Sequence, residues 1–172
     1  FDTPLGKENG LARVLEGRWP AEPGLVKAVA SGGAYDVITS KNTLKAGYIH
    51  PKPPAGKTVD EKQLVKLGVE DGVYLKAVHD ALKPGGLFIL YNISPAQSPA
   101  EDLSKPYIPW ADGKSPFTRE QLEGAGFEVV RFDQDDQAWV LDCWKVLGYD
   151  EGKARGEAAK DVFAWYTVAR RK

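Results

Sequence analysis

The sequence predicts an α/β fold built on a doubly wound, mostly parallel sheet. Short apolar runs alternate with stretches of helical period in the order strand, helix, strand, helix, strand, helix, strand, helical insert, strand. Parallel pairing through helical crossovers requires that alternation. The run Leu87-Phe88-Ile89-Leu90-Tyr91 is nearly continuously apolar, as a strand covered on both faces reads. Two long Pro- and Gly-rich stretches, 40–60 and 94–116, leave from the carboxyl ends of the strands at 35–39 and 87–91. Loops of that length inside a compact domain usually carry function, and ligands of doubly wound sheets bind beyond the carboxyl strand ends. The two loops are therefore expected to meet over one crevice.

Ala12 to Gly17 reads as a short strand, and Leu25, Val26 and Val29 give residues 22–30 a helical period. Ser31-Gly32-Gly33 breaks that helix before the apolar strand Tyr35 to Thr39. Residues 69–82 carry Val69, Val73, Tyr74, Ala77, Val78 and Leu82 as one helical face. Lys83-Pro84-Gly85-Gly86 is a stop and sharp reversal before Leu87–Tyr91. Thr118 with Gln121 three residues on is a capping box for a helix through Glu123. Phe127 to Phe132 is the next strand. Ala138, Leu141, Trp144 and Leu147 mark a helix over 137–147, residues 153–160 a weaker one, and Val162 to Val168 the final strand.

The chain of 172 residues holds 23 Lys and Arg against 24 Asp and Glu. That balance argues against a nucleic-acid partner, which needs a basic excess to displace counterions. A lone Cys143 rules out an internal disulfide and argues against a Cys-based zinc site. No apolar run reaches the ~20 residues that span a bilayer, and no signal-peptide pattern opens the sequence, so the expected location is the cytoplasm, with no membrane partner. No repeat or domain boundary is visible, so residues 1–172 read as one domain. The start at Phe1 and the absence of Met read as a truncated domain.

The segments Tyr35-Asp36-Val37-Ile38-Thr39-Ser40, Leu82-Lys83-Pro84-Gly85-Gly86-Leu87-Phe88-Ile89-Leu90 and Phe117 to Val129, in that order and spacing, resemble the C-terminal half of a class I S-adenosylmethionine-dependent methyltransferase. They are similar to the fourth strand, the turn into the fifth, and the last helix leading to the sixth; the terminal apolar run fits an antiparallel seventh. The resemblance implies a Rossmann-like sheet with an antiparallel last strand. It also implies S-adenosylmethionine as cofactor and methyl transfer to an N, O or S atom of an acceptor, a small molecule foremost. The donor is activated by its own charge, so the protein mainly aligns the reacting atoms and excludes water. The family's Gly-rich turn after its first strand and acidic residue after its second have no counterpart here. Glu16-Gly17-Arg18-Trp19 matches the adenine loop with Arg18 where Asp is commonest.

Without a first strand, the strand at 35–39 exposes an edge of unpaired backbone groups, which favours a homodimer through that edge, an N-terminal segment filling the gap, or a partner. The alternative reading follows from the same absence: a non-catalytic Rossmann-like interaction module that binds no cofactor. A nicotinamide-binding half fits less well, since its glycine fingerprint is also missing.

Position nominates the site residues. Arg18, Trp19, Ser40, Lys41 and Asn42 stand where the resemblance implies cofactor contact, with Asn42 also a hydrogen-bond pivot; local turn chemistry is the competing reading for Ser40–Thr43. His50 is the candidate general base, against a plain surface histidine. Tyr48, Tyr91, Asn92, Tyr107, Trp110 and Asp112 are candidate substrate contacts, the aromatic ones by stacking or by anchoring a loop. Asp133, Asp135 and Asp136 read as caps of the next helix rather than a metal site. His79, Trp139, Trp144 and Trp165 read as packing.

Overall fold

Pro23, whose fixed φ suits a first helical turn, opens α1 (Pro23–Ala30), and the break after it delivers the chain to β1 (Tyr35–Lys41). There follow α2 (Ala46–Ile49), a 3-10 turn (Glu61–Gln63), α3 (Asp71–Ala81) and β2 (Leu82–Pro95). A second 3-10 turn (Pro109–Ala111), α4 (Arg119–Gly124), β3 (Phe127–Asp135), α5 (Gln137–Leu147), α6 (Arg155–Ala158) and β4 (Val162–Arg171) complete the order. This is a computed structural model, and it describes residues 14–172.

The four strands form one mixed sheet in the order β1-β2-β4-β3, giving an α/β fold. β1 pairs parallel with β2, while β4 is antiparallel to both β2 and β3. The antiparallel last strand stands as expected; the mostly parallel sheet does not. β1, β2 and β3 all run the same way, but the reversed β4 lies between β2 and β3, so two of the three described pairings are antiparallel.

Three further expectations change. The strand at 12–17 is absent where the chain is described: residues 14–17 are irregular, with Val14 73% exposed, and 12–13 lie outside the described residues. A strand needs a ladder partner, and among the described residues β1 is the sheet edge. Lys83–Gly86 is not a turn ahead of a strand but a bulge within one. Tyr35 pairs with Leu82 and Val37 with Leu87, so β2 carries three extra residues there. Gly86 is required by space, because a Cβ would stand 2.9 Å from the Lys83 carbonyl and 3.1 Å from that of Tyr35. Finally, the buried stripe of α3 runs through Leu75 and Val78, while Val73 is exposed.

Alternation along β2 sends Phe88 and Leu90 to one face, where they join Leu75 and Val78 of α3, Leu122 of α4, Phe117 and Phe127 in the main core. Tyr91 and Ile93 point to the other face and pack against Val140 and Leu141 of α5, Ala158 of α6, and Val162 and Ala164 of β4. This second face is covered only toward the carboxyl end of β2: Leu87 and Ile89 are half-buried and Val37 is 48% exposed. β2 is therefore not buried on both faces along its whole length.

The capping box is present in full. Thr118 Oγ1 accepts from the Gln121 amide at 3.2 Å, and the Thr118 amide donates to Gln121 Oε1 at 2.7 Å. Thr118→Ala is expected to lower stability by about 1 kcal/mol, measured by urea denaturation with an unchanged m-value. Among the described residues, no helix is long and apolar enough to cross a membrane.

Candidate functional site

The loop after β1 and the loop after β2 are stitched together by backbone hydrogen bonds. The Ala46 amide donates to the Lys114 carbonyl at 2.9 Å, Gly47 to Asp112 at 3.1 Å, and Tyr107 to Thr58 at 3.1 Å. Gly47 permits this approach because any Cβ there would collide with the Pro109 carbonyl and crowd Asp112 and Tyr107. Asn92, buried near the end of β2, donates through Nδ2 to the carbonyls of Leu44 at 2.8 Å and Gly113 at 2.9 Å, one in each loop.

Lys45 is only 3% exposed. Its Nζ donates to the Ile93 carbonyl (2.6 Å), the Trp110 carbonyl (3.0 Å) and Ser94 Oγ (3.2 Å), and lies 5.8 Å from the Tyr48 ring centre. Burial pushes its pKa down to about 8 from the ordinary 10.5. In the unfolded chain the group still holds its proton between those values, so folding stability rises with pH from about 8 to 10.5 as the desolvation cost is relieved. The measurement is urea unfolding across that window: the wild-type rise should be absent from Lys45→Met.

Beneath the stitched loops an open cleft of about 840 Å³ is lined by His50, Lys52 and Ala46 of the first loop, Asp112 and Lys114 of the second, and Asp71 at the start of α3. His50 Nε2 lies 2.9 Å from Asp71 Oδ2, and Gln121 Nε2 donates to the same oxygen at 3.0 Å. Because a carboxylate oxygen accepts, Nε2 is the donor in this contact, and the bond orients the imidazole at the cleft wall. On the α4 side the Arg119 guanidinium sits 5.4 Å over the Phe132 ring. Asp133 is held at φ 43° by bonds from the Ser115 amide (2.8 Å) and Thr167 Oγ1 (3.4 Å), and burial raises its pKa.

Of the residues nominated from sequence, His50 and Asp112 line this cleft. Asn42, at φ 61°, uses its Oδ1 to accept from the Ile93 amide at 2.7 Å, and Leu44 N donates to Ser40 Oγ at 3.3 Å. Asn42 thus joins the loop to β2, whereas Ser40 ties the loop back to β1; exposed Lys41 stands beside them in register with Tyr91. Tyr91 lies on the opposite face, its hydroxyl donating to Asp136 Oδ2 at 2.9 Å, its ring edge-on to Trp139 and its pKa raised chiefly by burial. Tyr48 packs beside Lys45, Trp110 supplies a carbonyl to it, and Tyr107 is buried, with its pKa raised by desolvation and then by the Asp112 charge. Arg18 bonds through its amide to Glu22 Oε1 at 2.8 Å, and Trp19 stands edge-on to Tyr74 in a separate apolar groove between α1 and α3. Of the acidic cluster read as caps, Asp135 accepts from the Gln137 amide at 2.7 Å, as a cap does, whereas Asp136 accepts from the Tyr91 hydroxyl and Asp133 from Ser115 and Thr167, neither side chain capping the helix.

Sequence reasoning missed Asp71, Gln121 as a partner of Asp71, and Lys45. Asp71 was findable as a carboxylate in the first turn of a helix; nothing in the sequence marks Lys45 as buried.

No protein-family description matches the chain, and no curated protein matches it. Among solved structures, the [4+2]-cyclase SpnF is similar over 80% of this chain and 50% of its own, at 14% identity and TM-score 0.34. StiE O-MT residues 961–1257 are similar over 81% and 45%, at 13% identity and TM-score 0.34. The chain thus spans about half the length of these structures. A likeness at that level assigns no activity to this chain.

Proposed function

We propose that this chain is the acceptor-side half of an S-adenosylmethionine-dependent methyltransferase, acting on an N, O or S nucleophile of a small molecule. The observation that carries the reading is the His50–Asp71 pair in a cleft walled by the two loops that leave β1 and β2. The antiparallel final strand supports it, since the sequence resemblance implies one.

The described residues do not by themselves make a donor site. Ser40 and Asn42 are committed to backbone amides, Trp19 lines another groove, and no glycine-rich turn follows a described strand. In this reading the donor is held by residues outside 14–172 or by a second copy of this chain, and the chemistry of the described residues is confined to the acceptor. His50, oriented through Nε2 by Asp71, accepts the acceptor's proton at Nδ1. Gln121 fixes the second side of Asp71. Lys52, Lys114 and Asp112 surround the acceptor with charge of both signs.

The test is transfer of labelled methyl from S-adenosylmethionine to a panel of phenols, amines and thiols. Label in at least one class supports the reading; none in any class overturns it. A second reading, a non-catalytic interaction module, is favoured by one observation. β1 is the edge of the described sheet, a seven-residue ladder face open to pairing with a second copy or another strand. That reading predicts no transfer and a dimer or complex disrupted by Ile38→Pro in sedimentation velocity.

A further inference from the structure

An ammonium in a protein interior normally meets a carboxylate, because burying an unpaired charge is costly. Lys45 meets none. It is 3% exposed, and its bonding partners are two carbonyls and a hydroxyl. Those three oxygens belong to two different segments. Ile93 and Ser94 lie at the end of β2, and Trp110 lies in the 3-10 turn of the second loop. Lys45 itself is the cap residue of α2 in the first loop. Three N–H donors thus meet three acceptors, and every bond crosses between segments 48 to 65 residues apart.

The position gives this joint its leverage. The next two residues, Ala46 and Gly47, make the backbone bonds to Lys114 and Asp112 that bring the loops together. Ala46 lines the cleft, as do Asp112 and Lys114, and α2 ends at Ile49 just before His50. Both walls of the cleft therefore hang from one charged joint. Asn92 makes a parallel joint one layer away, but it is neutral and reaches only Leu44 and Gly113.

We propose that Lys45 is the positioning residue of this cleft: its ammonium clasps the second loop to the first and so fixes Asp112 and Lys114 opposite His50. The substrate it positions is the acceptor of the proposed methyl transfer, so the catalytic consequence rests on that reading, whereas the clasp itself does not. Two carbonyls and a hydroxyl drawn from two segments register the loops against each other, which a single side-chain anion would not do.

The test is amide hydrogen exchange on the free protein, wild type against Lys45→Met. Exchange at Ala46 and Gly47 should accelerate at least about 30-fold, while Phe88 and Leu90, in the β1–β2–β4 ladder, keep wild-type protection. Ser94→Ala, which removes one acceptor and spares the lysine, should give a smaller acceleration of about fivefold at the same two amides. It stands in if Lys45→Met does not fold. Unchanged exchange at Ala46 and Gly47, or acceleration spread equally over the ladder, overturns the proposal, since the latter is what loss of general stability produces. In a methyl-transfer assay Lys45→Met should raise the acceptor KM more than it lowers kcat. If the wild-type protein transfers no methyl group, the proposed function fails while the exchange experiment still decides the clasp.

Discussion

His50→Gln is expected to lower methyl transfer by roughly 10²- to 10⁴-fold, the range that loss of a positioned general base produces. Gln keeps a donor within reach of Asp71 Oδ2 and so preserves the local bonding, but offers no basic nitrogen to the cleft. The loss should therefore fall on kcat, with the acceptor KM and the thermal midpoint close to wild type. Asp71→Asn should act in the same direction but less severely, because it releases the tautomer without removing the imidazole. Gln121→Leu should be milder still, since it withdraws one of the two bonds that hold Asp71. The measurement is steady-state kinetics on whichever acceptor class takes up label. Equal rates for His50→Gln and wild type would leave the pair without a chemical role, and the cleft would then serve binding alone.

Gly47→Ala is the second large effect, and it acts on structure first. The added Cβ has nowhere to go: the Pro109 carbonyl occupies its place, and Asp112 Cβ and Tyr107 Oη would each stand at 2.9 Å. The first of these is backbone, which cannot rotate aside as a side chain end can. The loops must separate, and the bonds Ala46–Lys114 and Gly47–Asp112 go with them. A cost of about 3 kcal/mol is expected, the upper part of the usual overpacking range, read as a lowered urea midpoint. Gly72→Ala makes the contrast, because a Cβ there meets nothing within 4 Å. That change should leave the midpoint unchanged or raise it slightly, as Ala is the better helix former.

Periodicity located the elements because helices and strands announce themselves through their own side chains. α5 spans 137–147 as read, but of the stripe Ala138, Leu141, Trp144 and Leu147 only Leu141 is buried, with Val140 beside it, and Ala138 and Leu147 are exposed; the Thr118–Gln121 box was legible as written. Pairing is a different matter. The place of β4 between β2 and β3 is set by contacts between residues such as Ile89 and Val168, 79 apart in sequence, and no local pattern encodes it. The Lys83–Gly86 bulge misled for a related reason, since Pro and two glycines signal a break whether the chain turns away or bows out of a ladder.

The meeting of the two loops was legible, because loops leaving the carboxyl ends of adjacent parallel strands have little choice. Which side chains face the cleft was not. Tyr91 and Asn92 are neighbours in sequence, yet the pleat sends one to Asp136 on the far face and the other into the loop junction. Lys45 reads in sequence as a surface lysine, and only the assembled loops supply its three acceptors.

The most direct test is calorimetric titration of the mass-verified protein with S-adenosylmethionine and S-adenosylhomocysteine, with His50→Gln alongside. The account predicts micromolar binding of both, unchanged in His50→Gln because His50 serves the acceptor. No heat up to millimolar cofactor would contradict it.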